Sequence, residues 1–169
     1  MVETSKRDLL FADLEDEWKL TRKVLERLPE KDFAWKPHER SMSLGQLAAH
    51  VANIVYWQDM TLSRNEIDLA KLPPDRHIPA NTAELVSIFD KNVAAARAAF
   101  AKATDASLEE TWTLRMGDNV FFALPRRVVF RTVCLSHLVH HRAQLLIYMR
   151  MLGVRVPSVY GPSADEPGF

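Results

Sequence analysis

The sequence predicts an all-α protein, a four-helix bundle built as a single domain over residues 1–169. Three observations predict it. Four long segments carry apolar residues at steps of three and four, the helical period. Two of them open on capping boxes, Ser43-Leu44-Gly45-Gln46 and Asn81-Thr82-Ala83-Glu84. Glycine is scarce, five in 169 residues, which suits helices better than a turn-rich β fold. Amphipathic helices joined by connections of moderate length bury their apolar stripes against one another.

The first helix is expected from about Thr4 to Leu28, where Leu10, Leu14, Trp18, Thr21, Leu25 and Leu28 form one stripe. Asp13 and Glu17 read as part of its solvated face, and Pro29 ends it. Lys31 to Met42 is a connecting loop anchored by Trp35 and stiffened by Pro37. The second helix starts at Ser43 and runs to about Arg64, with Leu47, His50, Ile54 and Trp57 on one stripe and Ala48, Val51 and Val55 on the next. His50 therefore faces the interior. Glu66 to Ala80 holds Pro73-Pro74 and Pro79 and reads as a loop.

The third helix follows its Asn81 cap to near Ala103, with Leu85, Phe89, Asn92, Ala96 and Ala99 at helical spacing. Its alanines permit close approach of a neighbour. Between Thr104 and Leu124 the pattern breaks. Trp112-Thr113-Leu114 and Val120-Phe121-Phe122 flank Gly117-Asp118-Asn119, as in a short hairpin or an apolar lid. The fourth helix opens at Pro125 and ends near Leu152, before Gly153. Cys134, His137, His141, Gln144 or Leu145, and Tyr148 share its inner stripe. The tail from Val156 to Phe169 is expected to lie extended over the bundle.

Composition narrows the function classes. The formal net charge is zero, against a nucleic-acid partner. Arg126, Arg127 and Arg131 read as a solvated helix start. A single cysteine, Cys134, excludes an intrachain disulfide and fits a reducing cytoplasm. The charged first 22 residues do not resemble a signal peptide, and no apolar run approaches the roughly 20 residues of a membrane span. There is no phosphate-binding glycine loop, no paired cysteine, no His-Glu-x-x-His and no serine elbow.

What remains is a histidine constellation. His137 and His141 are four apart and stack on one helix face, Cβ atoms roughly 6 Å apart. Such a pair grips a metal ion but needs a third ligand, and His50 is the other histidine inside a clear amphipathic helix. His50, His137 and His141 are therefore the candidate ligands of a divalent ion, with imidazole suiting zinc, nickel or iron. Three protein ligands leave a coordination position open, as in catalytic sites, for water or a thiolate. Asn53 and Gln144, each about one turn from a ligand, are candidates to hydrogen-bond it, and Trp57 and Tyr148 to wall the pocket; plain core packing is the bland alternative for all four. The bland role of an inward histidine is likewise a hydrogen-bonded core residue. His140 points away on another stripe, His38 and His77 fall in loops, and Cys134 reads as a small apolar core residue. No catalytic residue is assigned.

Three stretches resemble the DinB family, whose members share the DinB/YfiT-like fold. They are Trp35-Lys36-Pro37 with Ser41 to Leu47 and His50, then His137 to Leu145, then Gly153 to Pro157 with Tyr160 to Glu166. Ala143 departs from the glycine frequent in the family. The resemblance implies an up-down-down-up bundle, often homodimeric, with a divalent metal on the histidines matching His50, His137 and His141. It also implies a metal-dependent S-transferase that joins a low-molecular-weight thiol to small electrophiles in detoxification or stress. The alternatives are a metal-dependent hydrolase using metal-bound water, and a non-catalytic binding or dimerisation module.

Overall fold

A computed structural model describes residues 5–72 and 77–167, so the expected start at Thr4, the Pro73-Pro74 pair and the end of the tail at Gly168 and Phe169 lie outside it. The elements run α1 (Lys6–Phe11), α2 (Leu14–Leu25), α3 (Leu44–Ser63), β1 (Glu66–Asp68), α4 (Thr82–Lys102), α5 (Asp105–Glu109), β2 (Thr111–Met116), β3 (Asn119–Pro125), α6 (Arg126–Val129), a π-helical segment Phe130–Ser136, and α7 (His137–Met151). The chain is mostly helical, but the all-α expectation is corrected by a three-stranded sheet. No helix among the described residues is long and apolar enough to cross a membrane.

The first expected helix is two. The helical run is interrupted by a turn at Ala12 and Asp13, where α1 parts from α2, and Phe11 sits edge-on against Phe100 and Phe130, at 4.4 and 4.8 Å. Asp105 accepts from the first amides of α1, those of Lys6 and Arg7, at 3.1 and 2.8 Å, and so fixes the departure. Periodicity alone carries no mark of this break, because the apolar residues of both pieces keep helical spacing.

The start of α3 is as expected. Ser43 accepts from the Gln46 amide and Gln46 accepts from the Ser43 amide, closing the capping box. The loop before α3 and the segment before α4 both come close at Gly45, where a Cβ would stand 3.0 Å from Phe33 Cβ and 2.8 Å from Ile78 Cγ2. At the start of α4, Asn81 caps the Glu84 amide, but the Glu84 carboxylate turns to the Ala80 amide and His77 and does not close a second box.

α3 packs along α4 and α7, and α2 packs against α4 and α7. Small residues carry the α3–α4 contact: Ala48, Ala52 and Ala96 are buried, and Asn92 donates to the Ala52 carbonyl at 3.0 Å. The main core fills the space among these helices with leucine, valine and phenylalanine. A second apolar cluster, Met60, Ile67, Trp112 and Val129, cements the sheet to the helix ends.

The broken segment is a hairpin. β2 pairs antiparallel with β3 about a turn in which Gly117 adopts φ +57°. β1 adds in parallel on the other side of β2, where a loop was expected. A three-residue strand is too short to show a period in sequence. Arg126, expected in solvent, is instead buried. It donates to the Thr61, Leu62 and Arg64 carbonyls at 2.7, 3.0 and 2.8 Å, satisfying the end of α3, and to Asn65 and Glu110.

Glu17 is the other correction. Its side chain is 7% exposed and pairs at 2.8 Å with Arg142, which is 1% exposed. Arg142 also donates to the Glu17 carbonyl and to Thr21 Oγ1. Tyr160 lays its ring by the guanidinium and donates to the Glu17 carboxylate, so the tail is pinned to α2 and α7. Burial, with Glu17 alongside, pushes the Tyr160 phenol up to about 12. Further along, Glu166 takes Lys23 and Arg27.

Removing one partner of a buried ion pair leaves the other charge unanswered. Arg142→Ala is expected to cost about 3–5 kcal/mol in urea denaturation, and Glu17→Leu with Arg142→Met much less.

Candidate metal centre

Two elements bring the three histidines together. His50 lies in the second turn of α3, and His137 and His141 form the first turns of α7. The π-helical segment before α7 changes the phase of the helix there. Cys134 is thereby fully buried, while His137 and His141 are half-buried at the edge of the core beside His50.

The nitrogens converge. His50 Nε2 lies 3.3 Å from His137 Nε2, and His137 Nε2 lies 2.8 Å from His141 Nε2. One ligand atom from each of the three falls within 4.8 Å of the others. The outer nitrogens settle what the inner ones are. His137 Nδ1 faces the Val133 carbonyl at 3.2 Å, which can only accept, so Nδ1 carries the proton. His141 Nδ1 donates to Gln144 Oε1 at 2.7 Å, and Gln144 Nε2 donates to His140 Nε2 at 3.1 Å. In the neutral rings both inward Nε2 atoms are therefore bare lone pairs, 2.8 Å apart. Two acceptors so close repel unless a cation stands between them.

A proton is poorly placed to be that cation. Burial, reinforced by the neighbouring His141 and His137 rings, pushes His50 down to about 4. His137 and His141 are also held below their ordinary value, chiefly by burial. The rings thus stay neutral at pH 7, which is the state that binds metal. A tetrahedral ion with bonds of about 2.0–2.1 Å sets its nitrogens about 3.3–3.4 Å apart; His50 and His137 stand at 3.3 Å, and His137 and His141, at 2.8 Å, would open slightly to take it. The donor set fits a borderline divalent ion.

The remaining candidates separate. Gln144, through its Oε1 at 2.7 Å from Nδ1, holds the His141 ring in its orientation. Asn53 lines a cleft of about 570 Å³ together with His50. Tyr148 packs edge-on against Trp35 at 5.5 Å and donates to the Met42 carbonyl at 3.3 Å. Trp57 packs on the sheet-side cluster, the core role. Cys134 lies against Thr61 at 3.4 Å, and burial pushes its thiol up to about 12, so it stays protonated. His38 is exposed, and His77 is exposed beside Glu84. The Val133 carbonyl was invisible to sequence reasoning, because a backbone acceptor has no residue signature.

The model of the DinB family matches residues 1–168. Two solved structures share the fold. A DinB-like protein from Bacillus cereus ATCC 10987 is 20% identical, with a TM-score of 0.68 over 89% of this chain and 95% of its own. The DinB-like protein YjoA from Bacillus subtilis is 15% identical, with a TM-score of 0.66 over 89% of this chain and 96% of its own. No curated protein matches the chain.

The depressed His50 value has a consequence for the metal-free protein. Between about 4 and 6.5 the unfolded chain binds a proton at His50 that the folded chain refuses. Stability from this source is complete above pH 6.5 and is lost as the pH falls towards about 4. Urea midpoints measured from pH 7.5 to 4.5 should fall, and should fall less in His50→Leu.

Proposed function

The chain belongs to the DinB family, and from that premise and the converging imidazoles we infer that it is a divalent-metal-binding protein whose ion is held by His50, His137 and His141. The observation that carries this is the pair of bare Nε2 lone pairs facing each other at 2.8 Å, their Nδ1 protons already committed elsewhere. We read the activity as transfer of a small thiol to an electrophile. A divalent ion at these nitrogens supplies positive charge that lowers the pKa of a thiol brought beside it.

The residues of the chain do the rest. Val133 and Gln144 fix the tautomers and keep the donors aimed inward. Three neutral ligands leave the ion's charge undiminished. The cleft beside His50 gives a small molecule access. Among the described residues the ligand cluster is made of the three histidines, with Glu39 lining the cleft next to it. A thiol near its ordinary pKa needs far less help to ionise than water does.

The same reading takes the long helices as the up-down-down-up bundle of one domain, supported by α2 and α3 each lying between α4 and α7. It makes the protein a cytoplasmic homodimer, for which the exposed Val120, Phe121 and Leu124 of β3 offer an apolar face.

Protein purified without a tag should carry near-stoichiometric metal by elemental analysis. His50→Ala, His137→Ala and His141→Ala should each lose most of it, Cys134→Ala should keep it, and Gln144→Ala should weaken affinity about 10–100-fold. Thiol-dependent turnover of an electrophile should vanish with the metal. Metal-free protein that gains no thermal stability from added Zn²⁺, Ni²⁺ or Fe²⁺ would contradict the assignment.

A further inference from the structure

The cleft beside His50 has a charge character of its own. Its volume of about 570 Å³ suits a small molecule. One wall is the α3 face bearing Gln46, His50 and Asn53, and another is the loop bearing Lys36 and Arg40. Both cations are exposed, and neither is ion-paired among the described residues, whereas Lys6, Arg97, Arg115 and Arg127 each hold a carboxylate. Glu39 is the acidic residue among those lining the cleft, so the two cations outnumber it. His77 also lines it but is already engaged by Glu84 at 2.8 Å.

Two features strengthen the positive field. The first turn of α3 borders the cleft at Gln46, and the positive end of the helix dipole adds to the field there. The first amides of α3 are spent on the Trp35 and Phe33 carbonyls and on Ser43, so they add field and no free donor. His50 joins the cleft to the imidazole cluster, and three neutral imidazoles would leave a bound divalent ion with its whole charge. A cleft so arranged rejects cations, and a guanidinium beside an ammonium is suited to anionic oxygens. Pro37, between the two cationic positions, limits the freedom of the loop that carries them.

We propose that this cleft binds a small organic anion, its carboxylate or phosphate held by Lys36 and Arg40 while its other end lies at His50, the histidine of the cluster that lines it. The substrate of the centre is therefore an anionic thiol and not a neutral one. The identity of the inner end rests on the metal-centre reading; the charge preference does not.

The test compares 3-mercaptopropionate with 3-mercaptopropanol, which differ in charge and little in length. Each is titrated calorimetrically into the zinc-loaded protein at low salt. The acid should bind about tenfold more tightly than the alcohol. In Lys36→Gln/Arg40→Gln that ratio should fall towards one, with zinc content and affinity for the alcohol unchanged. Equal binding by the wild type, or an undiminished ratio in the variant, overturns the proposal. Acetate and inorganic phosphate, as competitors, distinguish a carboxylate from a phosphate site, and displacement by neither also overturns it. Failure of zinc to load is failure of the metal centre alone. The charge preference is then read on metal-free protein with propionate against 1-propanol, from amide shifts at Lys36 and Arg40. Shifts that do not favour propionate overturn it.

Discussion

Two imidazoles with their Nδ1 protons already given away turn bare Nε2 lone pairs on each other at 2.8 Å, and the fold holds them there. Left alone, such a contact would spread by a rotation of either ring. It does not, because each ring is tethered at its back, His137 to the Val133 carbonyl and His141 to Gln144. His50 closes the third side from α3. Repulsion of this kind is tolerated where a bound cation returns more than the crowding costs.

The rest of the chain can be understood as what keeps α7 in register with α3. The π-helical segment sets the phase in which His137 and His141 emerge. One residue past His141, Arg142 is turned about 100° round the helix and locks into Glu17 and Tyr160, so the helix is held on a second face. Arg126 secures the far end of the same helical run to the last carbonyls of α3. Buried charges are thus used where two helices must keep a fixed rotation, while leucine, valine and alanine supply the cohesion.

Much of this was legible in the sequence. The helices declared themselves through apolar spacing and caps, and the spacing of four between His137 and His141 places both candidate ligands on one face. What escaped has physical reasons. The turn at Ala12 and Asp13 depends on Asp105, nearly a hundred residues away. Glu17 looked solvated because its neighbours on α2 are charged, and nothing local says that Arg142 will meet it. The short β1 has no readable period, and the parallel pairing with β2 is a tertiary event. The cleft cations belong to a loop, where side-chain direction does not follow from spacing.

The central claim is that these three imidazoles are ligands of one divalent ion. X-ray absorption at the metal edge of the zinc-loaded protein tests it most directly. The account predicts an inner shell with three imidazole nitrogens at about 2.0–2.1 Å and the multiple-scattering pattern of histidine rings. A shell built from oxygens, or one containing sulfur at about 2.3 Å in protein free of added thiol, would contradict it.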